Sequence, residues 1–134
     1  MSKAVPKELK LHKKSATLEL IYDDSRSYSL TAEFLRVHSP SAEVRGHGKG
    51  QEVLQTGKRD VNIKNIEAVG NYAIKLDFSD GHNTGIYSWE YLQELATNQA
   101  SLWQEYLAKL QDAGASRDAL PPDTQILNFK NEQS

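Results

Sequence analysis

Two parts of the chain alternate apolar and polar residues with a period of two, which is typical of strands that bury one face. The alternating segments are residues 9–11, 18–22 and 28–30 in the first part, and residues 61–66, 72–78 and a short stretch ending at residue 87 in the second. Turn-forming residues separate them. We therefore predict an α+β fold whose sheet is one antiparallel meander of five or six strands, with two or three helices packed against it.

Helix signals follow three of these turns. The predicted N-caps are Thr31, Ser88 and Ser101. The first helix covers residues 32–38 and ends before Pro40, because a proline disfavours helical geometry in the residue before it. In the third helix, Gln104 completes a capping box with Ser101, an apolar stripe follows at helical spacing, and Gly114 is the predicted C-cap.

The domain boundaries follow from where these patterns start and stop. We predict a flexible N-terminus over residues 1–6, one domain over residues 7–113, and a flexible tail over residues 114–134, which has adjacent prolines and no periodicity. Residues 41–60 contain four glycines and are predicted to form a long exposed loop. Loops of this length without secondary structure are uncommon, and are usually functional or disordered.

Composition limits the class of protein. Of the 134 residues, 38% are hydrophobic and 25% are charged, as in an ordinary globular domain. The formal net charge of −2 argues against general affinity for nucleic acid. There is no cysteine, so disulfides and thiolate chemistry are excluded. No segment has the composition of a signal peptide or a membrane span, so we expect a cytoplasmic protein with no membrane partner.

Histidines are the candidate metal ligands. His38, His47 and His82 could converge in the folded chain, with Glu43 or Asp80 as a fourth ligand. Neither a His-x-Asp/Glu pair nor a His-Glu-x-x-His motif is present. Since the spacing does not require a metal, exposed or turn-stabilising histidines are the favoured interpretation.

Ser39 and Ser41 are the candidate nucleophiles, because Ser39 adjoins His38. Acyl transfer needs a base within hydrogen-bond reach and a third group that orients the base, and adjacency in sequence does not supply this geometry. No Gly-x-Ser-x-Gly motif is present. We therefore assign these serines to caps and turns, and predict that the protein is not an enzyme.

A candidate interaction surface combines the glycine loop with later residues. The loop sequence RGHGKGQ begins at Arg45 and holds His47 and Lys49 between glycines, whose backbone N–H groups can approach an anion. It lacks the full phosphate-loop motif. The aromatic residues at the later strand-to-helix junction are mainly core candidates, but one ring near Trp89 is expected to stay exposed as an anchor. His82 completes the expected surface.

Three blocks in order carry a family resemblance: LRVHSPSAEV at residues 35–44, VGNYAIKLDFSDGH at 69–82 and TGIYSWEYL at 84–92. Together they resemble the gamma-butyrobetaine hydroxylase-like N-terminal domain, a family also carried as a domain of unknown function, over residues 7–95. The likeness is greatest to small stand-alone bacterial members. In the hydroxylases this domain precedes an oxygenase domain. Neither that half nor its iron motif is found in this sequence, so we do not expect hydroxylase activity.

The resemblance also implies a comparison with a zinc site. In the hydroxylases, three cysteines of a C-P-C-x-x-C knuckle and a histidine of a later turn hold a structural zinc. The cysteine positions match Ser39, Ser41 and Val44 here, and the histidine matches His82. Valine cannot bind a metal, and neutral hydroxyls are poor substitutes for thiolates. We therefore expect no cofactor and a fold that is stabilised by apolar packing alone.

The resemblance implies a class of partner as well. The family domain also occurs at the end of a plant chloroplast scaffold for iron–sulfur clusters, joined to an Mrp-type ATPase. We therefore expect a non-catalytic protein-interaction module, an accessory in iron or iron–sulfur protein maturation whose unknown partner belongs to the iron–sulfur assembly machinery. The alternative is a metal-binding protein in which histidines replace the zinc cysteines of the family.

Overall fold

Six strands form two separate antiparallel sheets in the computed structural model of the chain, which describes residues 5–46 and 50–119. The first sheet contains β1 (Glu8–His12), β2 (Thr17–Ile21) and β3 (Ser27–Thr31) in that order. The second sheet contains β4 (Ile63–Val69), β5 (Ala73–Phe78) and β6 (Ile86–Ser88), also in chain order. The helices are α1 (Ala32–Val37), α2 (Ala42–Arg45), α3 (Trp89–Thr97) and α4 (Gln99–Ala113).

The α+β class is confirmed, but the prediction of a single meander is wrong. Between β3 and β4 the chain forms α1, α2 and the connection that leads to Ile63, and the two strands do not pair. Alternation of apolar residues shows which face of a strand is buried, but not which strand lies beside it. The four helices of the described residues also exceed the predicted two or three.

One apolar core contains side chains of both sheets. Leu18, Leu20 and Leu30 of the first sheet are fully buried, as are Leu76 and Phe78 of the second, and all belong to the same apolar cluster. Full burial of one such side chain contributes about 1.5–3 kcal/mol. The inward-facing residues that the period-two pattern predicts therefore belong to one core, which stabilises both sheets.

α1 is buried on every side, including its two charged residues. Glu33 is 4% exposed and Arg36 is 7% exposed. The guanidinium of Arg117 donates two hydrogen bonds to the Glu33 carboxylate, at 2.8 and 2.6 Å, and Arg36 Nε donates to Asp80 Oδ2 at 2.9 Å. Because a buried charge without a partner is strongly destabilising, these two ion pairs connect α1 to the segment after α4 and to the β5–β6 turn.

Two of the three predicted helix starts are confirmed. The Thr31 hydroxyl accepts the N–H of Phe34 at 3.0 Å, and the Ser88 hydroxyl accepts the N–H of Tyr91 at 3.1 Å. The prediction for Ser101 is wrong, because α4 begins at Gln99 and the Ser101 hydroxyl donates to the carbonyl of the preceding Asn98. The predicted C-cap at Gly114 is confirmed, with a φ of 64°.

The long loop predicted over residues 41–60 contains a short helix, which corrects that prediction. The Ser41 hydroxyl accepts the N–H of Glu43 and starts α2, and Gly46 ends it with a φ of 72°. A Cβ at Gly46 would lie 2.0 Å from the carbonyl oxygen of Gln51. The chain therefore closes on itself at the base of the glycine loop.

Contacts with the body of the domain continue beyond the predicted boundary at Gly114. The N–H of Gly57 donates to the carbonyl of Ser116 at 2.9 Å, and the N–H of Arg59 donates to the carbonyl of Arg117 at 2.9 Å. Residues 120–134 and 1–4 lie outside the described residues. Among the described helices, none has the length and apolar character needed to cross a membrane.

Candidate functional site

Ser39, His82 and Glu43 form a chain of hydrogen bonds beyond the C-terminus of α1. The Ser39 hydroxyl lies 2.9 Å from His82 Nε2, and His82 Nδ1 lies 3.2 Å from Glu43 Oε1. The N–H of Ser41 donates to Ser39 Oγ at 3.2 Å. Ser39 is fully buried and His82 is 8% exposed. The segment after α1 and the β5–β6 turn are joined at this point.

A glycine allows the two segments to approach this closely. A Cβ on Gly85 would lie 2.4 Å from Ser39 Oγ and 3.4 Å from the Pro40 ring. No side chain fits in that space unless the serine moves. Gly85 is therefore required by the packing around the Ser39 hydroxyl.

Thr84 extends the network to the start of α2. Its hydroxyl donates to Glu43 Oε1 at 2.8 Å and lies 2.8 Å from Ser41 Oγ. The Ser41 hydroxyl also accepts the N–H of Glu43 as the N-cap. With a neutral His82 that donates from Nδ1 to Glu43 and accepts from Ser39 at Nε2, every member of this network has a partner.

A second set of charges lies beside this network. Asp80 Oδ2 accepts hydrogen bonds from Arg36 at 2.9 Å and from Lys58 at 2.6 Å, and Asp80 Oδ1 accepts the N–H of His82 at 3.2 Å. Arg36 Nη1 also donates to Gln55 Oε1 at 3.0 Å. The β5–β6 turn is therefore bonded to α1 and to the connection between α2 and β4.

The surroundings shift the pKa values of these groups. Burial lowers the pKa of His82, and the nearby positive charge of Arg36 lowers it further, against the opposing effect of Glu43. Burial on its own would raise the pKa of Asp80, but the hydrogen bonds from Lys58, His82 N–H and Arg36 outweigh it and lower this pKa to about 2. At neutral pH, Asp80 is ionised and His82 is neutral.

These residues do not fit the zinc site that the resemblance implies. Both ring nitrogens of His82 already have hydrogen-bond partners, and Ser39 and Ser41 present neutral hydroxyls to those partners. Val44 has no donor atom and is buried. Across residues 5–46 and 50–119, no three His, Asp or Glu side chains are grouped as metal ligands. A polar network occupies this region, which corrects the expectation that apolar packing alone stabilises it.

The hydrogen bonds from Ser39 to His82 and from His82 to Glu43 follow the same order as those of a catalytic serine, its histidine base and the carboxylate that orients the base. A nucleophile must reach its substrate as well as its base. Ser39 is 0% exposed, and its oxygen already accepts the N–H of Ser41. The arrangement is suited to joining two segments. The histidine that contacts the Ser39 hydroxyl is His82, not His38, which is adjacent in sequence.

His38 has a different environment from His82. Its Nδ1 donates to the carbonyl of Phe34 at 2.9 Å, and its ring packs at 4.6 Å between centroids on the Phe34 ring. Burial lowers the pKa of His38, and the nearby Lys109 lowers it too. The carbonyl of His38 accepts the hydroxyl of Tyr91 at 2.6 Å. The structure therefore uses this residue to complete the end of α1.

A groove of about 410 Å³ lies next to His38, and we call it the Arg45 groove. Its lining residues include Val37, His38, Arg45, Val53, Tyr91 and Lys109. The Arg45 guanidinium stacks on the Tyr91 ring at 5.6 Å from its centroid, and none of the described carboxylates forms an ion pair with Arg45. Val53 is 52% exposed although it is apolar. The groove therefore offers a cation, an aromatic ring and an exposed aliphatic side chain together.

Of the other residues predicted for the interaction surface, Trp89 lies away from the groove, and His47 and Lys49 lie outside the described residues. Trp89 does not line the Arg45 groove: its indole N–H donates to the carbonyl of Asn71 at 2.9 Å, beside the β4–β5 turn, and its ring is half-buried. His47 and Lys49 lie outside the described residues, so their predicted roles stay predictions. Of the predicted surface, only Arg45 lines the groove among the described residues.

Sequence reasoning missed the ion-pair partners of Glu33 and of Arg36. A signal was present, because the helix AEFLRV has apolar residues on all sides of its two charges and any partner would have to come from elsewhere in the fold. The partners, Arg117 and Asp80, lie 84 and 44 residues away along the chain. Such separations leave no local pattern.

Fold and site together define a small α+β domain in which a polar network joins the α1–α2 connection to the β5–β6 turn. The sequence matches a family model over residues 9–93, and the chain belongs to that family, described as gamma-butyrobetaine hydroxylase-like, N-terminal. This confirms the resemblance drawn from the three sequence blocks.

Solved structures resemble the chain over most of its length. One protein with an NMR solution structure is 51% identical, with a TM-score of 0.77, over 96% of this chain and 98% of its own. A second is 49% identical, with a TM-score of 0.76, over 96% of each chain. A crystal structure of a DUF971-family protein of unknown function from Acidithiobacillus ferrooxidans is 40% identical, with a TM-score of 0.58, over 68% of this chain and 91% of its own. None of the curated proteins compared with the chain matches it.

Proposed function

We propose that this protein is a non-catalytic interaction module that binds a partner protein at the Arg45 groove. The observation that carries the proposal is the stacking of Arg45 on Tyr91 beside an exposed Val53, with no carboxylate among the described residues paired to the arginine. Arginine and tyrosine are enriched among the residues that dominate protein–protein binding energies. A guanidinium held against a ring is also oriented before the partner arrives, which lowers the entropic cost of binding.

The charges around the groove support a protein partner. Glu52, Glu94, Glu105 and Lys109 line it in addition to Arg45, so the groove has both signs of charge beside its apolar side chains. This arrangement resembles the polar rim and apolar core of a protein interface. A partner from the iron–sulfur assembly machinery remains our prediction from the family resemblance, and identification of the partner tests it.

The experiment is site-specific photo-crosslinking followed by a binding measurement. A photoreactive amino acid replaces Val53 in the full chain, and a cross-linked protein is identified from an extract of the source cells. The identified protein is then purified, and its affinity for the wild-type chain is measured by calorimetry. We expect Arg45→Ala to weaken binding about tenfold, because truncation of a central interface residue costs on the order of 1–2 kcal/mol.

The matched control is Lys64→Ala, which removes an exposed positive charge from β4. We expect it to leave the affinity unchanged, and thermal unfolding must show that both variants remain folded. Equal affinities for wild type and Arg45→Ala would exclude the Arg45 groove as the binding site. If the purified protein binds neither, the cross-link does not reflect an interaction and the proposal fails.

A further inference from the structure

A second groove, at the N-terminal end of α1, has no role in the proposed function. It measures about 660 Å³, and we call it the Trp103 groove. Its lining residues include Phe34, Ala96, Ala100, Trp103, Gln104 and Arg117. A volume of this order buries most of a drug-sized molecule, which corresponds to a few side chains. Trp103 is only partly buried, and it packs against the main core of the domain.

The chain itself leads to this groove. After α4 the polypeptide runs beside residues 57–59, held by the hydrogen bonds of the Ser116 and Arg117 carbonyls. The Arg117 side chain forms part of the groove, where it pairs with Glu33 and stacks on the Trp103 ring at 5.0 Å from its centroid. The described chain ends two residues later, at Ala119, and fifteen residues of the sequence follow. The following segment therefore begins three residues after Arg117, whose side chain lines the groove.

We propose that the segment of residues 120–134 docks into the Trp103 groove of its own chain. Its apolar side chains are Leu120, Ile126, Leu127 and Phe129. The seven residues from Leu120 to Ile126 span at most about 23 Å when extended, so Ile126 and the apolar residues after it can reach back to the groove that Arg117 lines. Pro121 and Pro122 restrict the backbone before docking and reduce the entropy that docking removes.

Attachment favours this segment over an independent ligand. A segment joined to its site by a short linker has an effective concentration of millimolar order, so a contact with a dissociation constant below about one millimolar is occupied most of the time. The segment carries Asp123, Lys130 and Glu132, and these charges can remain in water while the apolar side chains face Trp103. Docking would cover the partly exposed indole and the partly exposed Arg117 side chain.

The test uses paramagnetic relaxation in the full chain, which has no native cysteine. Asn131→Cys provides one attachment site for a nitroxide label at the end of the segment. We expect the label to remove most of the intensity of the Trp103 indole N–H signal and of the Ala100 and Gln104 amide signals. The Trp89 indole, which is bonded at the Asn71 turn and does not line the groove, should keep more of its intensity.

Two tail variants of the labelled protein make the result specific. Leu127→Asp should restore the Trp103 signal, because a carboxylate would be buried against the indole. Gln125→Asp adds the same charge nearby without removing an apolar side chain, and should leave the broadening in place. Unbroadened Trp103, Ala100 and Gln104 signals, or equal broadening in both variants, would overturn the proposal.

A mixed sample separates the chain's own segment from that of a second copy. Nitrogen-15 protein without a label is combined with labelled protein that is not isotope-enriched. We expect no loss of the Trp103 signal in this mixture. Broadening in the mixture equal to that in the labelled protein would show that another molecule supplies the segment, and the intramolecular proposal would be wrong.

Discussion

The Ser39 hydroxyl illustrates how one buried polar group can join two segments of the chain. It accepts the N–H of Ser41 from its own segment and contacts His82 Nε2 from the β5–β6 turn. Both contacts are inaccessible to water, since Ser39 is fully buried. Loss of the hydroxyl would leave a buried N–H and a buried ring nitrogen without partners, which is more costly than the loss of the bonds themselves.

We therefore predict that Ser39→Ala lowers the free energy of unfolding by about 1–3 kcal/mol. Urea denaturation followed by circular dichroism measures this change. The control Ser27→Ala removes a hydroxyl from an exposed position on β3 and should change stability by less than about 0.5 kcal/mol. Equal stabilities of the two variants would show that the Ser39 hydroxyl does not support the fold.

Because the pKa of Asp80 is lowered in the folded protein, we predict that the free energy of unfolding decreases as the pH falls. Its pKa in the folded protein is about 2, below the ordinary value of 3.8, so the unfolded chain binds the proton more tightly. The stabilisation is therefore complete above pH 4 and is lost as the pH falls from about 4 towards 2. After allowance for the partial exposure of this carboxylate, we expect it to contribute on the order of 1–2 kcal/mol.

The measurement is the free energy of unfolding of wild type and Asp80→Asn between pH 7 and pH 2. The two curves should be separated at neutral pH and converge at low pH, because the protonated Asp80 of the wild type is then as uncharged as the asparagine of the variant. The exposed Asp60→Asn is the control and should follow the wild-type curve closely. A constant separation at every pH would mean that ionisation of Asp80 is not the cause.

At the scale of elements, tyrosine hydroxyls complete the C-terminal end of α1. The carbonyl of Leu35 accepts from Tyr87 on β6, and the carbonyl of His38 accepts from Tyr91 on α3. The last carbonyls of a helix have no partners within the helix. Because these two tyrosines come from a strand and a helix of the second half of the chain, the short helix α1 is stable only in the assembled fold.

Gly46 gives a prediction at the same scale. Its φ of 72° is unfavourable for other residues, and a Cβ there would lie 2.0 Å from the Gln51 carbonyl oxygen. We expect Gly46→Ala to cost about 1–3 kcal/mol from backbone strain, with the collision adding to this amount. Gly50→Ala has a similar φ of 85° without any atom within 4 Å, so it isolates the strain.

Urea denaturation of the two variants compares these effects. Gly46→Ala should be the less stable of the two, and its Val53 amide should lose protection from hydrogen exchange, since that N–H donates to Val44 at the base of the loop. Equal stabilities would mean that the close approach of Gly46 and Gln51 does not persist in solution.

At the scale of the whole molecule, we predict that the two sheets and the polar network hold the domain together without a bound metal. The core side chains of both sheets form one cluster, and the network around Ser39 and His82 bridges the two segments that match the zinc-ligand positions implied by the family resemblance. We predict that the melting temperature is unchanged by excess EDTA and is not raised by added zinc. Differential scanning calorimetry measures both, because a ligand that binds only the folded state raises the melting temperature. A lower melting temperature in EDTA would show that a bound metal stabilises the fold.

Much of the local structure could be predicted from the sequence. The caps Thr31 and Ser88 and the alternation at Leu18 and Leu20 depend on neighbouring residues, and the structure confirms them. The start of α4 was missed because Ser101 lies inside the first turn, where its hydroxyl bonds back to Asn98. A capping pattern and a first-turn serine look alike in sequence, so the pattern could not distinguish them.

The sequence by itself determined the family, the α+β class, the absence of thiol ligands and the inward-facing residues of the strands. These properties follow from residue types and from periodicities within a few residues. Only the tertiary structure decided that the strands form two sheets, that Ser39 bonds to His82 rather than to an adjacent histidine, and that Arg36 pairs with Asp80. These pairings join residues more than forty positions apart, and their partners are selected by how the whole core packs, which no local pattern encodes.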